Sequence, residues 1–199
     1  MKRKLIVIAT ALLGTSFGAF AQNTVNTPET VQRDVNQDRR IESGLKSGSL
    51  TTGEAARLER DQSQIDRLQA KALKDGHLSP AERQQLTAAQ NRASHHIAAA
   101  EHNGASGNPA SASSQRMQAD VQRNLNQDKR IEAGIQNGSL TNREVAATER
   151  GQAQVAHQEY AAGRDGHVGA AEQQRIQHDE NKRSRQIHQK KHDGQERPS

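Results

Sequence analysis

The sequence predicts an all-α protein made of two tandem helical repeats that follow a secretion signal. Three observations predict this class. A basic and apolar leader opens the chain, residues 31–104 recur as residues 121–194, and no segment alternates with the period of a strand. The segments between the turns are rich in Ala, Gln, Arg and Glu, which are compatible with helix.

The first 21 residues, MKRKLIVIATALLGTSFGAFA, have the three parts of a secretory signal peptide. A basic start precedes an apolar run from Leu5 to Leu13, and small residues stand at Ala19 and Ala21. The run is shorter than the roughly 20 residues that a membrane-spanning helix needs. We therefore predict cleavage before Gln22 and a protein of the bacterial periplasm or exterior, with no stable membrane anchor.

The composition excludes several functional classes. After residue 21 the chain has 25 basic and 23 acidic residues, so it lacks the broad positive field that binds nucleic acid. The absence of cysteine excludes disulfides, thiolate metal sites and thiol nucleophiles. The sequence has no nucleophile elbow, zinc-peptidase motif or phosphate-binding loop, and no catalytic residues are predicted. We expect a non-enzymatic protein.

The repeat is an internal duplication. Residues 31–104 align with residues 121–194 at a constant offset of 90, with 32 identities in 74 positions and no gap. The Gly, Ser, Ala and Asn between the copies are typical of a flexible linker, so we expect two separate units of three helices each. The predicted organisation is a signal peptide at 1–21, a polar segment at 22–30, repeat 1 at 31–102, a linker at 103–116, repeat 2 at 117–192 and a disordered tail at 193–199.

The first turn of each copy carries a helix-start signal. Thr51 is followed three residues later by Glu54, and Thr141 by Glu144, which is the pattern of a capping box. Gly48 precedes the first of these turns and can end the preceding helix in the left-handed conformation. The second helix is therefore predicted to begin near residue 52.

The second turn, DGHLSPAE at residues 75–82, supports two interpretations. Ser79 and Glu82 form a second capping box, which copy 2 weakens by placing Gly169 at the cap. The turn also resembles the back half of an EF-hand loop, although Lys71 and Leu73 stand where calcium needs oxygen ligands. We favour capping. The metal alternative uses these side chains: Asp75, His77 and Glu82, and in copy 2 Asp165, His167 and Glu172.

Two carboxylates interrupt the apolar face of the first helix. Asp38 and Glu42 lie on the same helical face as Val31, Val35 and Leu45, and Asp128 and Glu132 repeat them in copy 2. Carboxylates on such a face need a partner or water. We favour an ion pair with an arginine such as Arg33, Arg40 or Arg60, and the alternative is a cation site between helices.

Histidines offer a third candidate metal site. His188 and His192 are four residues apart, so they share a helical face. Two histidines are fewer than the three or four protein ligands of a zinc site, and two lysines beside them oppose a dication. No cofactor is certain, and the candidates are Ca²⁺ or a transition metal.

The apolar stripes are thin. Copy 1 has 12 Leu, Ile or Val in 74 residues, and copy 2 replaces Leu58, Leu68 and Leu73 with Thr148, Gln158 and Gly163. We therefore expect long, shallowly packed helices instead of a dense bundle.

The motif QDxRIExGxxxGxLTxxE at residue 37, repeated at residue 127 and followed by the DGxxxxxE turn, resembles uncharacterised exported helical repeat proteins of proteobacteria. The resemblance covers nearly all of both copies and implies an exported, all-helical protein, but it implies no activity. We predict an envelope protein that binds or buffers cations through repeated carboxylates and histidines. The alternative is a stress-associated chaperone or scaffold that binds polypeptides through amphipathic helices.

Overall fold

The protein is helical throughout the part that the structure describes. The computed structural model describes residues 27–195, and these contain no strand, which confirms the all-α class. The six helices are α1 (Thr27–Ser47), α2 (Thr52–Ala72), α3 (Pro80–Glu101), α4 (Ala112–Gln136), α5 (Asn142–Gly163) and α6 (Ala170–Lys190). No helix in this range is long and apolar enough to cross a membrane. The predicted signal peptide lies outside the described residues.

The predicted capping boxes start α2 and α5. Thr51 Oγ1 accepts a hydrogen bond from the Glu54 backbone N–H, and the Glu54 carboxylate accepts the Thr51 N–H at 2.9 Å. Thr141 and Glu144 repeat both bonds at α5. Gly48 has φ +80°, the left-handed conformation that the sequence predicts for it. These turns are therefore local structures that a few neighbouring residues specify.

The second turn starts α3 as a capping box. Ser79 Oγ accepts from the Glu82 N–H, and the Glu82 carboxylate accepts the Ser79 N–H at 2.9 Å. In copy 2 Gly169 provides no side-chain acceptor, but the Glu172 carboxylate accepts its N–H at 2.8 Å. The residues that resemble an EF-hand loop are thus already used in ending one helix and starting the next.

The two copies pack against each other along their full length. Helix α2 packs mainly on α5 and α1 mainly on α4, while α3 contacts α1 and α2, and α6 contacts α4 and α5. Both central pairs are antiparallel, since the end of α1 meets the start of α4 and the end of α2 meets the start of α5. The four helices α1, α2, α4 and α5 form the centre of the bundle, and α3 and α6 flank it.

Apolar residues of both copies form two shared clusters, one near each end of the central helices. The first contains Ile41, Leu45, Leu50 and Leu58 of copy 1 with Met117, Val121, Val155 and Val168 of copy 2, among others. The second contains Val31, Leu73, Leu78 and Leu86 with Ile131, Ile135, Leu140 and Val145, among others. The prediction of two separate units is therefore wrong. The thin apolar stripe of a single copy cannot form a core by itself, so the stripes of the two copies pack together into a shared core.

The segment between the copies is packed against the first turn. The Gly107 N–H donates to the Gly48 carbonyl at 2.8 Å, and a Cβ on Gly107 would lie 2.2 Å from the Leu50 carbonyl oxygen. Ser111 caps α4, which starts at Ala112, so the end of the predicted linker is helical. The predicted free tether between independent units is not what the structure shows.

The packing is also denser than the sequence suggests. Every Leu, Ile, Val and Met of residues 27–195 is buried except Leu68, which is half-buried. Gly163 replaces Leu73 in copy 2 without leaving a gap, since a Cβ there would lie 2.5 Å from Met117 Cε and 2.8 Å from Ala56 Cβ. The glycine makes room for side chains that the partner helices supply.

Candidate functional site

Between the two apolar clusters, the centre of the bundle is polar. Seven carboxyl groups that lie there, all on the four central helices, are at most 9% exposed. We call them the central acidic cluster: Asp34 and Asp38 of α1, Glu59 and Asp66 of α2, Asp128 of α4, and Glu149 and Glu159 of α5. No ion pair joins any of them to a basic side chain among the described residues. The bundle therefore holds a group of acids without opposite charges.

The helices place these groups by regular spacing. In α1 the inward positions are Val31, Asp34, Asp38, Ile41 and Leu45, which follow one another at intervals of three or four residues. The other three central helices have the same pattern. Each inward stripe is apolar at its ends and polar in its middle, so packing the stripes together collects the acids in one place.

Carboxyl groups of the two copies face each other in pairs. Asp38 and Asp128 are within hydrogen-bonding reach, as are Glu59 and Glu159. Two carboxyls can share a hydrogen bond only when one of them holds a proton. Burial raises the pKa of Asp128 to about 6 and the pKa of Glu159 to about 7, and it raises those of Asp38 and Glu59 well above their ordinary values.

The pKa values of the remaining acids of the cluster are also raised. Burial, with the neighbouring Asp128 charge, raises the pKa of Asp34 to about 8. Burial and the mutual repulsion of charges raise the pKa values of Asp66 and Glu149 well above their usual range. Near neutral pH the cluster is therefore divided between protonated and ionised carboxyls, and it can exchange protons for another positive charge.

Three side-chain amides that lie against the cluster have buried oxygens without a partner. Gln62, Gln152 and Asn124 are 5%, 5% and 6% exposed, and their amide oxygens have no hydrogen-bond partner. Their nitrogens are all engaged. Gln62 Nε2 donates to Gln37, Gln152 Nε2 to Asp128 at 3.3 Å, and Asn124 Nδ2 to Glu159 at 2.7 Å. With the nitrogens fixed, the free oxygens are acceptors in need of a donor or a cation.

A small cavity lies where these groups meet. It offers about 10 Å³ to the centre of a water-sized sphere, which is room for about one water molecule or one ion. Five carboxyl groups of the central acidic cluster and the three amides form its wall with Ala156. Its wall is mostly polar, and it is far too small for an organic ligand.

A second pair of acids lies beside the cluster in copy 2. Asp120 and Glu180 are 0% and 1% exposed, and neither Asp120 oxygen has a hydrogen-bond partner. Burial raises the pKa of Asp120 to about 8 and that of Glu180 to about 9. Arg123 Nε lies 3.3 Å from Glu180 Oε2. At the equivalent positions copy 1 has Thr30 and Gln90. There the Gln90 side-chain amide donates to the Thr30 backbone carbonyl at 2.9 Å.

The structure brings two of the predicted site residues together, Asp38 and Asp128. The favoured ion pair with arginine is wrong for them. Arg33 donates to the side chain of Asn91, Arg40 pairs with Glu101, and Arg60 lies over the Tyr160 ring. Burying a flexible guanidinium between four helices would need space that the small cavity does not provide.

The other two carboxylates of that prediction lie apart from the cluster. Glu42 pairs with Lys46 one turn later on α1. Glu132 is half-buried and accepts from Gln136 at 3.0 Å. Both positions fall one turn beyond the polar middle of their helices, next to the apolar ends.

The turn residues and the histidines form no metal site. Asp75 and Asp165 accept the N–H groups of His77 and His167, all four exposed, and Glu82 and Glu172 bind the helix starts. The rings of His188 and His192 stack at 4.3 Å, with His192 Nδ1 bonded to the His188 carbonyl. Within residues 27–195, no three His, Asp or Glu side chains converge at metal-ligand geometry as they stand.

Most residues of the cluster were not predicted from the sequence. These are Asp34, Glu59, Asp66, Glu149 and Glu159, and the amides Gln62, Asn124 and Gln152. The signal was present as spacing. In α2 the positions 55, 59, 62, 66, 69 and 73 form one stripe that begins with Ala, ends with Leu and is polar between them. Such a stripe indicates a buried polar layer once a partner helix is known.

Comparison of the chain with protein-family models, with curated proteins and with solved structures gives no match. The function must therefore be inferred from the chemistry of the central acidic cluster.

Proposed function

We propose that this protein is an exported, non-enzymatic, cation-binding protein whose binding site is the central acidic cluster. One observation carries the proposal. Seven buried carboxyl groups share one region of the bundle with no basic side chain paired to any of them in the described chain.

The physical argument is the cost of buried negative charge. An ionised carboxylate in a dry interior needs a proton, a basic side chain or a metal ion beside it. No basic side chain of the described chain is ion-paired with these acids, so protons and cations remain. Protons suffice in acid, but near neutral pH the raised pKa values lie close to the ambient pH, and a bound cation then stabilises the folded chain.

The site depends on both copies. Asp38 comes from copy 1 and Asp128 from copy 2, and the amides Gln62 and Gln152 face the cavity from equivalent positions. Duplication therefore supplies two half-sets of oxygen ligands. This supports a site formed by the association of the copies, in place of the two independent sites at the turns.

The chaperone alternative has less support. A protein that holds polypeptides through amphipathic helices needs an accessible apolar surface. In residues 27–195 the large aliphatic side chains are buried apart from half-buried Leu68. The apolar faces that the alternative requires are already used between the two copies.

Export is part of the proposal because the leader of residues 1–21 has the composition of a signal peptide. The protein recovered outside the cytoplasm should have the intact mass of a chain that begins at Gln22. A recovered protein that retains Met1 and the apolar run would contradict export by cleavage.

The binding proposal is tested by thermal unfolding of the purified protein at about pH 7.5, with chelator or with excess divalent cations. We expect cations to raise the melting temperature, because a ligand that binds only the folded state stabilises it. In the double variant Asp38→Asn/Asp128→Asn the rise should disappear, while the melting temperature in chelator should increase since a buried acid pair has been neutralised.

The matched control is Asp75→Asn/Asp165→Asn, which changes two exposed acids of the turns and keeps an oxygen to accept the same N–H groups. It should respond to cations as the unchanged protein does. If no divalent cation raises the melting temperature, or if the control loses the response and the Asp38/Asp128 variant keeps it, the proposal is wrong.

A further inference from the structure

We propose that the cavity of the central acidic cluster takes a single Ca²⁺ ion, bound without its water shell by carboxylate and amide oxygens of both copies. The inference rests on the proposed function and names the class of cation. Three observations select Ca²⁺: the donor atoms that line the cavity, the size of the cavity and the unpaired amide oxygens.

The donor atoms exclude the metals that histidine binds. The cavity wall contains carboxyl and carboxamide groups and Ala156, and no histidine. Zn²⁺ and Cu²⁺ prefer nitrogen or sulfur ligands, whereas Ca²⁺ and Mg²⁺ take oxygen. All nine histidines of the chain are absent from this wall, which separates this site from the predicted histidine site.

The size of the cavity separates calcium from magnesium. About 10 Å³ of space for the centre of a water-sized sphere holds one ion or one water molecule. Mg²⁺ gives up water reluctantly and usually keeps several waters in its octahedral shell. Ca²⁺ accepts a shell of six to eight oxygens that includes amide carbonyls, so it can enter such a cavity without water.

The amide oxygens of Gln62, Gln152 and Asn124 also point to a ligand. Each is buried and unpartnered in a region lined mainly by carboxyl groups, which are acceptors once they are ionised. Their nitrogens are fixed by donation to Gln37, to Asp128 and to Glu159. An ionised carboxylate cannot satisfy these oxygens, but a cation in the cavity can.

Cation binding then replaces shared protons. The carboxyls of Asp38 and Asp128 lie within hydrogen-bonding reach of each other, as do those of Glu59 and Glu159. The ion displaces the proton of a pair, which passes to the solvent, and the carboxylates turn about their side-chain bonds toward the ion. The three amide oxygens with these carboxylates provide the six or more donors that calcium requires.

The experiment measures melting temperature and equilibrium dialysis of the purified protein with Ca²⁺, Mg²⁺, Zn²⁺ or Cu²⁺ as the only added metal. We expect Ca²⁺ to give the largest rise, with one ion bound per chain at the cluster. The variant Gln62→Met/Gln152→Met keeps the carboxyls and similar volumes but removes two amide oxygens. Its calcium affinity should fall at least about tenfold, as losses of even outer ligands do.

Two control variants locate the response. Glu82→Gln/Glu172→Gln changes the turns and His188→Gln/His192→Gln changes the histidine pair, and both should bind calcium normally. Circular dichroism of each variant establishes that it is folded before binding is measured. If the amide variant is unfolded, Asn124→Leu, which removes the third amide oxygen, takes its place with the same expected loss.

The outcomes separate this inference from the proposed function. If Zn²⁺ or Cu²⁺ stabilises the protein more than Ca²⁺, or if Mg²⁺ equals Ca²⁺, the inference is wrong while cation binding stands. If the calcium response survives loss of the amide oxygens or disappears in the turn variant, the cavity is not the calcium site. If no metal has any effect, the proposed function itself is wrong.

Discussion

Single positions in the cluster carry either an acid or its amide, depending on the copy. Asp34 of copy 1 accepts a hydrogen bond from Gln69, while at the equivalent positions of copy 2 Asn124 donates to Glu159. The donor and the acceptor have changed places, but each pair still contains one carboxyl group and one amide. The pairing thus limits how many charges the interior holds, and the remaining acids depend on protons or a cation.

The acids Asp120 and Glu180 give the first prediction, since copy 1 contains a neutral version of the same place. In the double variant Asp120→Thr/Glu180→Gln, copy 2 receives the side chains of Thr30 and Gln90. The folded pKa values of about 8 and about 9 are above the unfolded values, so these acids stabilise the fold in acid and weaken it as pH rises.

The variant should therefore melt at a higher temperature than the unchanged protein near pH 9, with a smaller difference near pH 4. Thermal unfolding at the two pH values measures this. The exposed-acid variant Asp75→Asn is the control and should show no such change. A variant that is less stable than the unchanged protein near pH 9 would show that the Arg123 contact outweighs the buried charges.

At the scale of the elements, the helix starts are set locally. Ser79→Ala removes the side-chain cap of α3 and should lower the free energy of unfolding by about 1 kcal/mol. Because the cap binds no metal in this account, the loss should be the same with chelator and with Ca²⁺. Urea unfolding measures both values, and a loss confined to the calcium-loaded protein would contradict the capping role.

The segment between the copies gives another prediction for an element. Gly107→Ala places a Cβ 2.2 Å from the Leu50 carbonyl oxygen, where backbone must shift. We expect a loss of roughly 1–3 kcal/mol in urea unfolding, as for other overpacked positions. Ala105→Ser, at an exposed neighbour, should have no measurable effect. Equal stability of the two variants would mean that this segment is a free tether after all.

The sequence predicts the elements that depend on near neighbours. Thr51 with Glu54, and Ser79 with Glu82, specify their helix starts within four residues, so their pattern is readable without a fold. Asp38 was recognisable because it interrupts an apolar face. Glu59 and Asp66 were not, because the face they occupy is recognised as buried only when α5 of the other copy covers it. That association is a property of the whole chain, which the pattern of one copy does not contain.

At the scale of the whole molecule, the duplication allows a core to form but also buries acidic side chains. Two thin apolar stripes become a core only when the copies combine. Between the two apolar clusters, however, the same association buries the acids of both copies. Most proteins lose stability in acid because paired carboxylates become protonated. Here the carboxyls are not paired with basic side chains, so the direction is reversed.

The most direct measurement is the melting temperature of the purified protein between about pH 4 and about pH 9 in metal-free buffer. The folded pKa values of the cluster and its neighbours, such as about 6 for Asp128 and about 8 for Asp34, exceed the unfolded values near 4. The folded state therefore holds protons more tightly, and its stability is present near pH 4 and lost as pH rises through these values. We expect the melting temperature to fall steadily from acid to alkaline pH, and Ca²⁺ to restore it above about pH 7. A melting temperature that rises with pH, or that stays constant over this range, would contradict a buried acidic cluster without basic partners.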